Sequence, residues 1–423
     1  MINSIVELLD NYIKEGKISD YLLNEVEEES YQLYFVKESL ETVRDGRSTS
    51  ISVTVYVKHD EKLGSSSFLL YPSSTKEEIE TLVDEARSNA LGIFNAPYEL
   101  VKGGKETYGE NKGKDLKKEA ERIANAIFSV KGSDGAKLNA TEIFVYNTRT
   151  RVINSLGLDK TSYTSRGMVE TIPTFDKKEE SVEIYAQKNF AEISDEEMKS
   201  YIREKLDEVE ARANVAKRDL PSNVDVLLRE EEIETIFADY IYMLTYSALA
   251  SGGTPFKEGQ KVFGDNGDPI TMEMKGKVAG CSSSRYFDQD GTTLKDKVVI
   301  EKGTVSSFFG DNRFSQYVKR ENTGNLAILS VNPGSLEEGE IEGDYLECLQ
   351  FSGIQADIFN DYLGGEVRLA LYHHDGKKIP VGGFSISGKL SELLSSARLS
   401  KHISKDPSYC GPSHIFLKKM ALI

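Results

Sequence analysis

The spacing of apolar residues changes several times along this chain, and each change predicts an element. Residues 1–17 read as an amphipathic helix. Runs rich in Thr, Val, Tyr and Phe at 31–37, 48–58 and 65–71 predict strands. Thr75 and Glu78 then form a capping box, in which each side chain satisfies a free N–H of the helix start. Behind it Ile79, Leu82, Val83, Ala86 and Ala90 recur at helical spacing. A second helix is predicted by Leu116, Ala120, Ile123, Ala124, Ile127 and Phe128, after a loop rich in Gly and Lys. Strands return at 141–147, 150–154, 163–172 and 181–190. A second capping box, Ser194 with Glu197, opens a helix that runs to about Ala216.

Pro221 and its polar neighbours, 217–222, mark a domain boundary, which gives an N-terminal domain over 1–220 and a C-terminal one over 221–423. The second begins with a strand at 223–228. A helix over 230–249 carries Ile233, Ile236, Phe237, Tyr240, Ile241 and Leu244 and stops at Gly252-Gly253. From Val262 onward the pattern is short strands and Gly-rich turns, with one helix near 389–399. The expected fold class is α+β. The N-terminal domain is α/β with a mixed sheet and packed helices, and the C-terminal domain is mainly β, barrel-like or sandwich.

Composition narrows the function classes. Hydrophobic residues make up 39% and charged residues 29% of 423 residues, a globular composition with enough chain for two or three cores. No apolar run approaches the roughly 18–20 residues that cross a bilayer, so no membrane role is expected. The N-terminal stretch lacks the pattern of a signal peptide. Three scattered cysteines, Cys281, Cys348 and Cys410, give no disulfide framework and suit the cytoplasm. The net charge of -17 and the short, mixed basic clusters argue against nucleic acid as a partner.

Candidate chemistry is sparse. Asp288-x-Asp290-Gly291 fails the calcium-loop template, because positions 6 and 12 are Thr293 and Val299, and it reads as a turn. His373 and His374 are adjacent in a predicted strand and so face opposite sides. Cys410-x-x-x-His414 has a ligand-like spacing and is a weak metal candidate. Neither Gly364-Gly365 nor Gly382-Gly383 fits a phosphate-binding fingerprint, and there is no nucleophile elbow. The helix over 230–249 carries Glu230, Glu231, Glu232, Glu234 and Asp239 but no histidine. Carboxylates at a first turn are explained by the helix dipole.

In order and spacing, a string of motifs resembles the TldD/TldE (PmbA, modulator of DNA gyrase) metallopeptidase family. The string includes Leu63-Gly64-Ser65-Ser66, Asn95-Ala96-Pro97-Tyr98, Asn154-Ser155-Leu156-Gly157, Phe287 to Gly291 and Ile300-Glu301-Lys302-Gly303. It continues with Thr323-Gly324-Asn325, Asn332-Pro333-Gly334 and Gly382 to Gly388. The resemblance implies a dimer enclosing a cavity in which unfolded peptides are cleaved or matured. It also implies that TldD-type chains hold a metal through His-Glu-x-x-x-His and a C-terminal Cys. Here the corresponding helix is 230–249, and nothing on it matches that motif. The chain therefore resembles the TldE/PmbA type. It is expected to bind no cofactor itself, to have no catalytic residue, and to pair with itself or with a zinc-bearing TldD-type subunit. Gly365, Gly382, Gly383, Phe384 and Ser385 are the expected peptide-cavity residues. The alternatives are a scaffold or peptide-binding homodimer without a peptidase role, and a self-sufficient hydrolase with an unrecognised site.

Overall fold

A computed structural model describes residues 2–111, 113–177 and 180–423. The N-terminal half runs α1 (Ile2–Lys14), β1 (Asp20–Val36), β2 (Ser39–His59), β3 (Lys62–Leu70), α2 (Lys76–Leu91), β4 (Lys105–Tyr108) and α3 (Leu116–Phe128). It continues with β5 (Ala136–Asn154), β6 (Asp159–Lys177), β7 (Glu180–Glu183), β8 (Ala186–Phe190) and α4 (Asp195–Ala213). All eight strands share one mixed sheet, in the order β3-β2-β1-β5-β6-β4, with β7 and β8 also on β6. Helices α1 and α2 cover one end of it through Ile5, Leu9, Ile79 and Val83. Helices α3 and α4 cover the other through Ile123, Ile127, Met198 and Ile202. Both capping boxes form: Thr75 and Ser194 each accept from the backbone N–H three residues on, and Glu78 and Glu197 reach back.

The central strands are longer than the hydrophobic pattern predicts. β1 reaches back to Asp20 through Glu25, Glu27, Glu28 and Glu29, which propensity disfavours in a strand. Cross-strand cations make the difference. Arg149 on β5 binds Glu25 at 2.9 Å and Glu27 at 2.8 Å, Arg47 on β2 binds Glu27 at 3.2 Å, and Arg166 on β6 binds Glu28 at 2.6 Å. The same Arg149 carries β5 through the polar stretch where two separate strands are expected. In the other direction, the strand expected over 181–190 is divided into β7 and β8.

The C-terminal half runs β9 (Asn223–Arg229), α5 (Glu230–Met243), α6 (Tyr246–Ser251), β10 (Met272–Lys275), β11 (Lys297–Glu301), β12 (Thr304–Val305), α7 (Asn312–Val318) and β13 (Ile328–Val331). After a 3₁₀ turn at Glu338–Glu340 come β14 (Tyr345–Asp357), β15 (Tyr362–His374), β16 (Lys377–Val381), β17 (Phe384–Gly388) and α8 (Leu390–Ser395). The chain ends with β18 (Arg398–Leu399), β19 (Ile403–Asp406), β20 (Tyr409–Pro412) and β21 (His414–Leu422). Strands β9, β14, β15, β17 and β21 pair in a closed ring: β9 with β14, β14 with β15, β15 with β17, β17 with β21, and β21 with β9. This is a five-stranded barrel, and the fold class is α+β. A second sheet, β12-β11-β10-β13-β20-β19, lies beside it. The two share a core that includes Val226, Leu228, Leu346, Val367, Ile386 and Leu417. No helix among the described residues is long and apolar enough to cross a membrane.

The helix expected over 230–249 is broken at Leu244. Phe309 pairs with Thr245, accepts from the Tyr246 N–H at 2.7 Å and donates to the Leu244 carbonyl, so the backbone turns and Thr245 caps a new helix. The helix expected near 389–399 stops at Ser395. Arg398 and Leu399 instead pair with β21, and Asp268 accepts from the Leu399 N–H at 2.8 Å.

Gly64 on β3 offers a direct test of this packing. A Cβ added there would lie 1.7 Å from the Ala90 carbonyl oxygen and 2.9 Å from that of Ile93, at the end of α2. Both obstacles are backbone, so neither can rotate away. Gly64→Ala is expected to lower unfolding free energy by about 1–3 kcal/mol. Urea denaturation checks this, and an unchanged midpoint would contradict the packing described.

Candidate functional site

Arg229 ends β9, and α5 starts at the next residue. Three glutamates, Glu230, Glu231 and Glu232, occupy its first turn, where the helix dipole favours negative charge. Glu232 points inward and accepts from the Arg229 N–H at 3.2 Å. Burial pushes its carboxyl up to about 8, so it is neutral at pH 7. Glu230 and Glu234 lie one turn apart and face the β19–β20 hairpin. Glu230 accepts from the Ser404 hydroxyl at 3.0 Å and Glu234 from the Ser408 hydroxyl at 2.5 Å. Cys410 lies on β20, half-buried. Asp406, at the end of β19, is raised to about 6 by burial and by Glu231, Glu230 and Glu234, against the opposing pull of Lys188. The Lys188 ammonium lies 3.9 Å from it.

This acidic face lies on the helix to which the resemblance assigns the His-Glu-x-x-x-His of TldD-type chains. The donors present do not fit zinc there: no imidazole is on α5, and serine hydroxyls occupy Glu230 and Glu234. Cys410 and His414 also part company. The His414 Nδ1 bonds Glu338 at 3.2 Å and the residue pairs with Arg229, whereas Cys410 pairs with Ser330 and Lys405.

A cleft of about 920 Å³ lies between the long sheet and the 277–286 loop. Its lining includes Arg149, Tyr163, Arg166, Gly109, Ala279 and Cys281. Cys281 connects the cleft to the hairpin, because its buried thiol donates to the Tyr409 carbonyl at 3.3 Å. Burial, with Cys410 nearby, raises that thiol to about 11, so it is not a nucleophile at neutral pH. The outer edge of β6 is interrupted here. β4 pairs with it as far as Ser162 and β8 from Gly167 onward. Between them Tyr163, Thr164, Ser165 and Arg166 face the cleft, and among the described residues no strand pairs with them on that side.

The expected cavity residues lie elsewhere, on the barrel. Gly365 pairs with Ile354 on one side and Ile386 on the other. Ser385 exchanges two hydrogen bonds of 2.9 Å with Ile423, and Phe384 pairs with Val367. A Cβ at Gly382 would meet the Arg368 carbonyl oxygen at 2.2 Å, and Gly383 sits at φ +78°. His373 and His374 face opposite ways, as alternation requires. The first bonds Glu347 at 2.8 Å and the second Asp344 at 2.7 Å.

Family models agree with this architecture. The model for the PmbA/TldA metallopeptidase C-terminal domain matches residues 221–423, and the model for domain 1 of the same metallopeptidases matches residues 24–90. The chain belongs to the PmbA/TldD metallopeptidase family. No curated protein matches it. Among solved structures, TldE from Thermococcus kodakarensis superposes with a TM-score of 0.77 at 16% identity, covering 98% of this chain and 99% of that one. A proposed modulator of a DNA gyrase from Thermotoga maritima gives 0.77 at 16% identity, with 100% of both chains covered. One from Bacteroides thetaiotaomicron gives 0.78 at 14%, covering 99% and 98%. At these identities the likeness shows the shared fold.

Asp406 makes the acidic face testable. Its carboxyl is raised on folding from an ordinary value of 3.8, so its contribution to stability is full below about pH 4 and is lost as pH rises through about 6. Asp406→Asn removes that loss. The variant is expected to gain in unfolding midpoint relative to the parent between about pH 4 and pH 7. A gap that stays constant over this window would show that the site is not crowded with charge.

Proposed function

We propose that this chain is a non-catalytic, peptide-holding subunit of a TldD/TldE-type peptidase, acting in the cytoplasm on unfolded peptides. The observation that carries the reading is the β6 edge at 163–166, which no strand among the described residues pairs with and which opens into the 920 Å³ cleft. An extended peptide adds to such an edge by main-chain hydrogen bonds, which need no particular sequence. The cleft falls within the size range of ligand sites. Gly365, Gly382, Gly383, Phe384 and Ser385 then act as structural parts of the barrel wall rather than as strand edges.

The non-catalytic half of the reading rests on α5. A hydrolytic metal site keeps an open position and a polarised water, which take ligands that this helix lacks. A TldD-type partner subunit would supply zinc and the general base. A dimer, with that partner or a second copy, is supported by exposed apolar side chains at one edge of the sheet. Leu69, Tyr71 and Phe94 are each more than 60% exposed.

Ala279 is exposed on the cleft wall, so replacing it tests the site without disturbing a core. Ala279→Trp is expected to weaken binding of a labelled unfolded peptide about tenfold, measured by fluorescence anisotropy, while unfolding stability stays within about 0.5 kcal/mol. Unchanged binding would overturn the cleft assignment. The isolated chain is also expected to leave that peptide intact over hours and to sediment as a dimer at micromolar concentration. Chelator-resistant cleavage by the purified chain would favour a self-sufficient hydrolase instead.

A further inference from the structure

Four of the chain's five histidines collect at one end of the barrel, each against a carboxylate of the 337–347 segment. His373 and His374 pair with Glu347 and Asp344, beside a cavity of about 540 Å³ that Glu338 and His414 also line. The other pairing differs in kind, because three donor atoms converge. Glu337, Glu338 and His402 each present one ligand atom, all within 4.8 Å of one another. The His402 Nε2 lies 3.5 Å from the Glu337 Oε2 and 3.9 Å from the Glu338 Oε2. Tetrahedral zinc with bonds near 2.1 Å holds its ligand atoms ~3.4 Å apart, so the two His402 contacts are within a few tenths of an ångström of that spacing, and closing the site draws the carboxylate oxygens in from within 4.8 Å.

The other oxygen of each carboxylate is already engaged, which aims the free ones. The Glu338 Oε1 accepts from Ser400 and from Ser413 at 3.4 Å, and it bonds the His414 Nδ1 at 3.2 Å. The Glu337 Oε1 takes the Lys401 ammonium at 3.0 Å. The backbone is stitched as well. The Leu336 N–H donates to the Leu399 carbonyl, the Lys401 N–H to that of Leu336, and the His402 N–H to the Ser400 hydroxyl. Outer hydrogen bonds that orient ligating carboxylates are the usual support of a metal site.

We infer that Glu337, Glu338 and His402 form a binding site for a zinc-class divalent ion, with His414 and Ser400 as positioning residues. One imidazole with two carboxylates suits a first-row transition ion, and the fourth position is open to water. The site uses no residue of α5 and not Cys410. It departs from the expectation, drawn from the sequence, that this chain binds no metal of its own. The ion would tie the 337–338 turn to the start of β19, next to the mouth of the 540 Å³ cavity.

Equilibrium dialysis of the chelator-treated full chain against micromolar zinc chloride tests this. The expected uptake is about one zinc per chain. His402→Ala and Glu337→Gln should each lose at least about tenfold in affinity, and His414→Ala about tenfold, with the metal-free melting temperature of the exposed His402 variant unchanged. Cys410→Ser should bind as the parent does. No uptake by the parent chain, or uptake that survives His402→Ala, would overturn the site. Uptake lost with Cys410→Ser would place the ion at α5 and overturn it equally.

Discussion

Strand β9 is the constraint on which the rest of the C-terminal half depends. It pairs in parallel with β14 and antiparallel with β21, and so closes the barrel. Closure removes the free edges that an open sheet would leave. It also fixes the direction in which α5 leaves the barrel, because no loop separates Arg229 from Glu230. The hairpin β19–β20 is fixed from the other end, since β21 follows β20 after one residue. Helix and hairpin therefore meet in one arrangement, and the Glu230–Ser404 and Glu234–Ser408 contacts follow from it.

The two halves are joined by charge as well as by apolar contact. Arg229 binds Glu208 of α4 at 2.6 Å, and Lys205 binds the same carboxylate at 2.9 Å. These groups are largely buried, so removing one partner would leave an uncompensated charge. On the other side of the junction, Phe287 packs with Leu22, Leu100 and Leu158. The Asp288 carboxylate, just beyond it, accepts from the N–H groups of Asp290, Thr292 and Asn325 and so shapes the turn at Gly291. The cleft between the long sheet and the 277–286 loop takes its shape from both joints.

Much of this was legible in the sequence where local chemistry decides structure. Both capping boxes sit where Thr75 and Ser194 predict them, and the motifs from Leu63 to Gly388 pointed to the right family. What escaped depends on partners distant in sequence. Glu25 to Glu29 carry no strand signal of their own, because their cations lie about 20 to 140 residues away, on Arg47, Arg149 and Arg166. The break at Thr245 needs Phe309, and the convergence of Glu337 with His402 needs the pairing of Leu336 with Ser400. The cleft left no motif at all. Its edge exists because the pairings with β4 and β8 leave four residues of β6 between them, which is a property of register rather than of composition.

Hydrogen–deuterium exchange of the isolated chain, with and without an unfolded peptide, tests the central claim most directly. Amides in an unpaired strand edge exchange freely until a strand is added. The account predicts new protection within Tyr163 to Arg166, with α5 and the β19–β20 hairpin unchanged. Protection at α5 and the hairpin instead, with 163–166 still exchanging freely, would contradict it.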